Sequence, residues 1–79
     1  MSRHRYRINL LAPPPPDLEA VRWVTPGGAQ ALAYIRRGPD EGRLLRLASG
    51  SLVIQFASGA IGTLDQRKAQ AMLDASHAP

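Results

Sequence analysis

The clearest pattern of apolar and polar positions lies in the second half of the chain. The segment LASGSL at 47–52 is followed nine residues later by FASGAI at 56–61. Each copy places Ser-Gly between apolar segments, which is typical of a β-hairpin. The pattern predicts a three-stranded β-meander over about residues 43–64. The repeat is too short to indicate a solenoid.

The register of this meander follows if each hairpin has a two-residue loop. Leu47 then opposes Leu52, and directly opposed residues share a face of the sheet. One face therefore carries the apolar residues of the predicted core, which are Leu45, Leu47, Leu52, Ile54, Phe56 and Ile61. The other face is a candidate protein interface, unless a helix covers it, and carries Gly62 with Leu44, Arg46, Val53, Gln55 and Leu64.

Apolar spacing after the meander predicts a helix over about residues 66–76. Asp65 is a suitable N-cap, and Leu64 and Ala69 are placed for a hydrophobic staple. Helical spacing gives the helix a narrow face for packing against the sheet, made of Ala69, Met72, Leu73 and Ser76. The last residues, 77–79, are predicted to be a frayed tail.

Alternation near the start of the chain predicts a further strand over about residues 5–11. Tyr6, Ile8 and Leu10 point to one face, and the polar residues between them point to the other. The run of four prolines that follows ends the strand, and residues 12–17 are predicted to be a stiff polyproline spacer. The alternative is a ligand for an SH3-type domain, but no pattern of flanking residues supports it.

Two intermediate segments each allow two interpretations. Residues 18–24 end in β-branched and aromatic residues and are predicted to be a strand, although Pro16-Asp17 also suits the start of a short helix. In one interpretation of the segment that follows, Pro26-Gly27 form a type II turn and residues 29–36 return as a strand. We favour instead a middle helix over about residues 27–37, because this segment is rich in helix formers and Gly38-Pro39 would end it.

Composition supports one small domain over residues 1–79, of the α+β class with an antiparallel sheet. The 79 residues are 44% hydrophobic, which favours a folded core over disorder. A domain of this size buries only about 60% of its unfolded surface, so a homodimer or a permanent partner would add useful buried area. Cysteine is absent, and no apolar run approaches the roughly 20 residues of a membrane helix. We therefore expect a cytoplasmic protein.

No group of residues in the sequence indicates catalysis. A cysteine nucleophile is absent, and the only histidines, His4 and His77, lie near opposite ends of the chain. Two histidines without cysteine form no recognisable zinc-ligand set. The glycines at 27–28 and at 59 and 62 lack the context of a nucleotide-binding loop. The sequence predicts a non-enzymatic protein without a metal or a cofactor.

Arginine clusters raise the possibility of nucleic-acid binding. The formal charge is +4, and the candidate phosphate contacts are Arg3, Arg5, Arg7, Arg36, Arg37 and Arg43. A GC-rich genome explains the arginine bias equally well, and a solvated charged face explains the clusters as well as phosphate binding does. Aromatic residues for base stacking are also scarce, at 5%.

Protein binding is therefore the favoured function. A small protein without catalytic residues commonly acts as an adaptor, an assembly component or an inhibitor by occupying the surface of a partner protein. Its predicted interface, defined above, mixes apolar residues with arginine, as protein interfaces do. Small accessory proteins of phages and mobile elements share this general character. Nucleic-acid binding is the alternative, and no membrane partner is expected.

Overall fold

The five strands of the sheet lie side by side in the order in which they occur along the chain. The computed structural model describes residues 7–76. Its strands are β1 (Ile8–Leu10), β2 (Gln30–Arg37), β3 (Asp40–Arg46), β4 (Leu52–Phe56) and β5 (Ile61–Gly62), and its helices are α1 (Pro16–Glu19) and α2 (Gln66–Ser76). Every neighbouring pair of strands is antiparallel. The α+β class, the N-terminal strand, the meander and the C-terminal helix are confirmed.

The core lies between the sheet and α2. Its buried residues come from β2, β3, β4 and α2, and they are Ile35, Leu44, Leu52, Ile54, Ala69 and Leu73. The two apolar residues of β1, Ile8 and Leu10, pack at the edge of this cluster, as their alternation predicts. Asp65 caps α2 because its Oδ1 accepts a hydrogen bond from the backbone N–H of Lys68 at 3.0 Å.

The predicted middle helix over 27–37 is wrong, because most of this segment forms β2. Ala33 and Ile35 pack into the core, which is the alternation of a strand. Gly38-Pro39 is not a helix stop but the two-residue loop of the β2–β3 hairpin, since Arg37 is directly paired with Asp40. Gly38 has a φ of 59°, as the first central position of a type II′ turn requires. Pairing with β3 on one side, and with β1 at residues 35–37 on the other, thus overrides a weak helix propensity.

The predicted register of the meander is also wrong, by one residue in each hairpin. Leu44, not Leu45, is paired with Ile54, and Gln55, not Phe56, is paired with Ile61. Both loops contain three residues rather than two, because Gly50 and Gly59 each adopt a φ of 94°. Each loop is a type I turn followed by a glycine bulge, with hydrogen bonds such as Gly50 N–H to the Leu47 carbonyl at 2.8 Å. A one-residue shift in register moves every side chain of a strand to the other face of the sheet.

The chain between β1 and β2 crosses the sheet face opposite α2. Its first turn of helix, α1, already contains Pro16 and Asp17, so the predicted spacer over 12–17 ends too late. The predicted strand over 18–24 is wrong, because Leu18 is buried in α1 and the indole Nε1 of Trp23 donates to the Leu18 carbonyl at 2.9 Å. The predicted tail at 77–79, and the first two residues of the predicted strand over 5–11, lie outside the described residues.

Candidate functional site

The outer edge of β2 is only half covered. β2 has eight residues, but β1 pairs with Ile35–Arg37 alone. Leu11 adds one further hydrogen bond, from its N–H to the Tyr34 carbonyl at 2.9 Å, before the chain leaves the edge. Within residues 7–76, no strand pairs with the outer side of residues 30–33. We call this four-residue stretch the free edge of β2.

A cleft of about 330 Å³ lies between the free edge of β2 and the second half of α2. Leu32 and Leu73 give it an apolar part, and the remaining side chains are polar or small. The complete lining is Gln30, Ala31, Leu32, Arg46, Gln70, Leu73 and Asp74. The cleft therefore combines free backbone groups, apolar surface and two opposite charges.

Arg46 supplies the positive charge of the cleft. It is the last residue of β3 and is paired with Gln30 on one side and with the core residue Leu52 on the other, so it projects on the α2 side of the sheet. Its guanidinium makes two long hydrogen bonds, one to Gln70 Oε1 at 3.3 Å and one to the Gly50 carbonyl at 3.4 Å. Among residues 7–76, no carboxylate lies within 4.0 Å of it.

Gln70 holds the two charges of the cleft apart. Its Oε1 accepts from Arg46, and its Nε2 donates to Asp74 Oδ1 at 3.0 Å. The amide thus gives each charged group one neutral partner. Arg46 and Asp74 do not form an ion pair, and both charges face the cleft.

The five predicted interface residues do not share a face. Leu44 is fully buried in the core and Leu64 packs against it, on the α2 side where Arg46 also lies. Val53 and Gln55 lie on the opposite side of the sheet, and both are buried. The shared face was predicted from the wrong register, and of the five only Arg46 lines the cleft.

Beside Gln55, two large apolar side chains remain exposed. Gln55 Nε2 donates to the Val24 carbonyl at 2.6 Å, and Ile61 is directly paired with Gln55 in the sheet. The exposed fractions of Val24 and Ile61 are 78% and 49%. They form an exposed apolar margin on the side of the sheet opposite α2.

Arg43, a predicted phosphate contact, is buried beneath the segment that crosses the sheet. Only 8% of it is exposed. Its Nε donates to Gln55 Oε1 at 2.7 Å, its Nη2 donates to Thr25 Oγ1 at 2.6 Å, and its guanidinium lies 5.0 Å from the centre of the Trp23 ring. These contacts use the guanidinium to attach the crossing segment to the sheet.

The other predicted phosphate contacts are dispersed. Arg36 forms an ion pair with Glu41 at 3.0 Å. Arg37, the next residue of the strand, points to the other face, donates to the Thr63 carbonyl at 2.8 Å and lies over the Phe56 ring. Arg7 is exposed beside β1, and Arg3 and Arg5 lie outside the described residues. Of the described candidates, Arg43 is therefore buried, and Arg36 and Arg37 project on opposite faces of the sheet.

Gln66 has a structural role that the sequence pattern did not reveal. Its side-chain amide makes two hydrogen bonds of 2.7 Å to Leu52, accepting from the backbone N–H and donating to the carbonyl. β5 pairs only with Ile54 and Gln55 of β4, so Gln66 covers the part of the β4 edge that β5 does not reach. The only sequence signal is a glutamine in the first turn of a helix that follows a short strand.

Other chemistry is sparse in the part of the chain that the structure describes. Residues 7–76 contain no group of three or more His, Asp or Glu side chains that could hold a metal ion. None of the described helices has the length and apolar character needed to cross a membrane. No family model matches the sequence, and no curated protein or solved structure is significantly similar to it.

Proposed function

We propose that this protein is a non-enzymatic, cytoplasmic protein-binding module that takes up an extended segment of a partner protein as an additional strand. The free edge of β2 carries this proposal. Its four residues span about 13 Å at the usual rise per residue. A partner strand placed there would extend the sheet, and its alternate side chains would enter the cleft beside α2. Adaptors, assembly components and inhibitors all use this mode of binding.

The contrast between the edges of this sheet supports the proposal. Natural sheets protect exposed edges with short strands, charges, prolines, β-bulges or a covering element. β1 and β5 are only three and two residues long, and Gln66 covers the rest of the β4 edge. The sequence of the free edge, Gln-Ala-Leu-Ala, carries neither a charge nor a proline. Apart from the register shift between Ala31 and Ala33, which marks a β-bulge, this stretch lacks those forms of protection within residues 7–76.

Peptide selection followed by backbone mapping tests the proposal. A random heptapeptide library is selected on the full chain, and the site of the selected peptides is mapped by NMR shifts and amide hydrogen exchange. We expect added protection at those amides of residues 30–33 that face away from β3. Only every second peptide amide faces the neighbouring strand, so N-methylation should weaken binding about tenfold at alternate positions and leave the intervening ones unaffected.

The outcomes against the proposal are equally specific. It is overturned if no peptide is selected, if the peptides map away from the free edge, or if N-methylation shows no alternation. A dimer at micromolar concentration in sedimentation, with residues 30–33 protected by a second copy, would identify self-association instead. Nucleic-acid binding would depend chiefly on Arg3, Arg5 and Arg7, and loss of low-salt DNA or RNA binding on their replacement would favour that alternative.

A further inference from the structure

Building on the proposed strand addition, we infer that the free edge of β2 selects an extended segment in which an acidic residue and an apolar residue are two positions apart. The acidic side chain binds Arg46. The apolar side chain contacts Leu32 and Leu73. The recognised chemistry is therefore acidic-x-apolar, in either chain direction, and the partner is an acidic protein segment rather than a second copy of this chain.

The spacing follows from the geometry of the sheet. Gln30 is paired with Arg46, so both project on the same side, and both line the cleft. A partner residue opposite Gln30 would project on that side too, next to the arginine. The register of β2 against β3 shifts between Ala31 and Ala33, and Leu32 at this bulge packs against the core on the α2 side and lines the cleft. The partner residue two positions along also faces that side, and there it meets Leu32.

The charge preference follows from the unused capacity of Arg46. A guanidinium has five N–H donors, and here two of its nitrogens make bonds of 3.3 and 3.4 Å to neutral oxygens. A carboxylate forms shorter, paired bonds of about 2.7–2.9 Å with such a group. Replacing two long neutral contacts with such a pair favours an acidic side chain over its amide analogue.

The charge of the whole chain points in the same direction. The formal charge is +4, which attracts an acidic segment and opposes a second copy that would place like charges together. Asp74 at the rim limits this attraction, because it lies in the same cleft. A single acidic residue beside an apolar one is therefore favoured over a run of acidic residues.

The test repeats the heptapeptide selection on the wild-type chain, on Arg46→Gln and on Arg67→Gln. Arg67 is an exposed arginine of α2 that does not line the cleft, so its replacement removes the same charge from another place. We expect Glu or Asp to be enriched two positions from an apolar residue on the wild type and on Arg67→Gln, and not on Arg46→Gln. Circular dichroism checks that each variant is folded. Arg46→Lys keeps the positive charge but lacks the paired N–H donors of a guanidinium, so it should give weaker enrichment of acidic residues.

A selected peptide then gives the magnitude. Changing its acidic residue to the amide should weaken binding to the wild type about tenfold, as expected for loss of a charge-assisted pair, and should leave binding to Arg46→Gln unchanged. Peptides that bind at the free edge without an acidic preference would overturn this inference and leave the proposed function intact. A selection that yields no binder to the free edge would overturn both.

Discussion

Replacing Gln55 tests whether the buried arginine depends on its neutral partners. Gln55 is 4% exposed, and its amide accepts from Arg43 and donates to the Val24 carbonyl. Gln55→Leu keeps the volume of the side chain but removes both bonds. Loss of a bond to a charged group costs about 1.5–3 kcal/mol, and loss of the neutral bond adds about 0.5–1.5 kcal/mol. Because Val24 is exposed and its carbonyl can be hydrated, we expect a total of about 2–4 kcal/mol.

This loss is large for so small a domain. At about 0.05–0.15 kcal/mol per residue, the free energy of unfolding of the whole chain is roughly 4–12 kcal/mol. Each kcal/mol corresponds to about 4–8 °C in Tm for a domain of this size. Urea and thermal unfolding should therefore show Gln55→Leu melting roughly 10–30 °C lower. The matched control is Gln30→Leu, which changes an exposed glutamine of β2 and should alter stability by less than about 0.5 kcal/mol.

The double variant separates this explanation from simple damage to packing. Arg43→Met with Gln55→Leu removes both buried polar side chains, and the hydroxyl of Thr25 is on an exposed residue that water can reach. Replacing both partners with apolar groups of similar shape is often nearly neutral. We expect the double variant to be more stable than Gln55→Leu. The reasoning would be refuted if the stability losses of Arg43→Met and Gln55→Leu were additive in the double variant. It would also be refuted if Gln55→Leu were as stable as the control variant Gln30→Leu.

Three further predictions concern the turns and the start of α2. Gln66→Ala should lower the free energy of unfolding by about 1–2 kcal/mol and speed hydrogen exchange at the first amide of β4, whereas unchanged exchange there would contradict the edge contact. The backbone N–H of Lys68 lowers the pKa of the Asp65 carboxyl below its ordinary value of 3.8. The stability that the ionised Asp65 carboxyl contributes should thus be complete above that value and be lost as the pH falls through the folded-state pKa. An NMR titration of Asp65 should find a midpoint below 3.8. Gly50→Ala should cost about 1–3 kcal/mol in urea unfolding because its φ is 94°, whereas Gly27→Ala, with nothing near the added Cβ, should cost far less.

Local patterns in the sequence predicted those elements whose boundaries are set by nearby residues. α2 follows from one cap residue and one helical face, and the two Ser-Gly segments do form hairpin loops. The register of the meander could not be predicted from the same local patterns. It depends on whether the glycine of each loop belongs to a two-residue loop or follows a type I turn. The positive φ of Gly50 and Gly59 sets the loop type. The loop type in turn decides whether Leu44 or Leu45 lies on the side of the sheet that packs against α2.

Propensity misled the interpretation of the middle segment. Residues 29–37 are rich in helix formers, yet residues 30–37 form a strand that pairs with β3, and residues 35–37 also pair with β1. These hydrogen bonds outweigh a preference of a few tenths of a kcal/mol per residue. The signal that was available is Gly38-Pro39, read as a hairpin loop rather than as a helix stop. The cleft could not be predicted, because it joins β2 to the far half of α2 and depends on contacts distant in sequence.

The contact made by Gln66 links the behaviour of the helix to the risk of aggregation. Its amide takes the place of a strand residue, so the β4 edge remains covered only while the first turn of α2 is docked. Fraying of that turn would uncover backbone groups at Leu52, the first residue of an apolar strand. Substitutions that loosen α2 should therefore lower solubility on heating before they unfold the sheet, because a brief local opening in one molecule exposes a template for another.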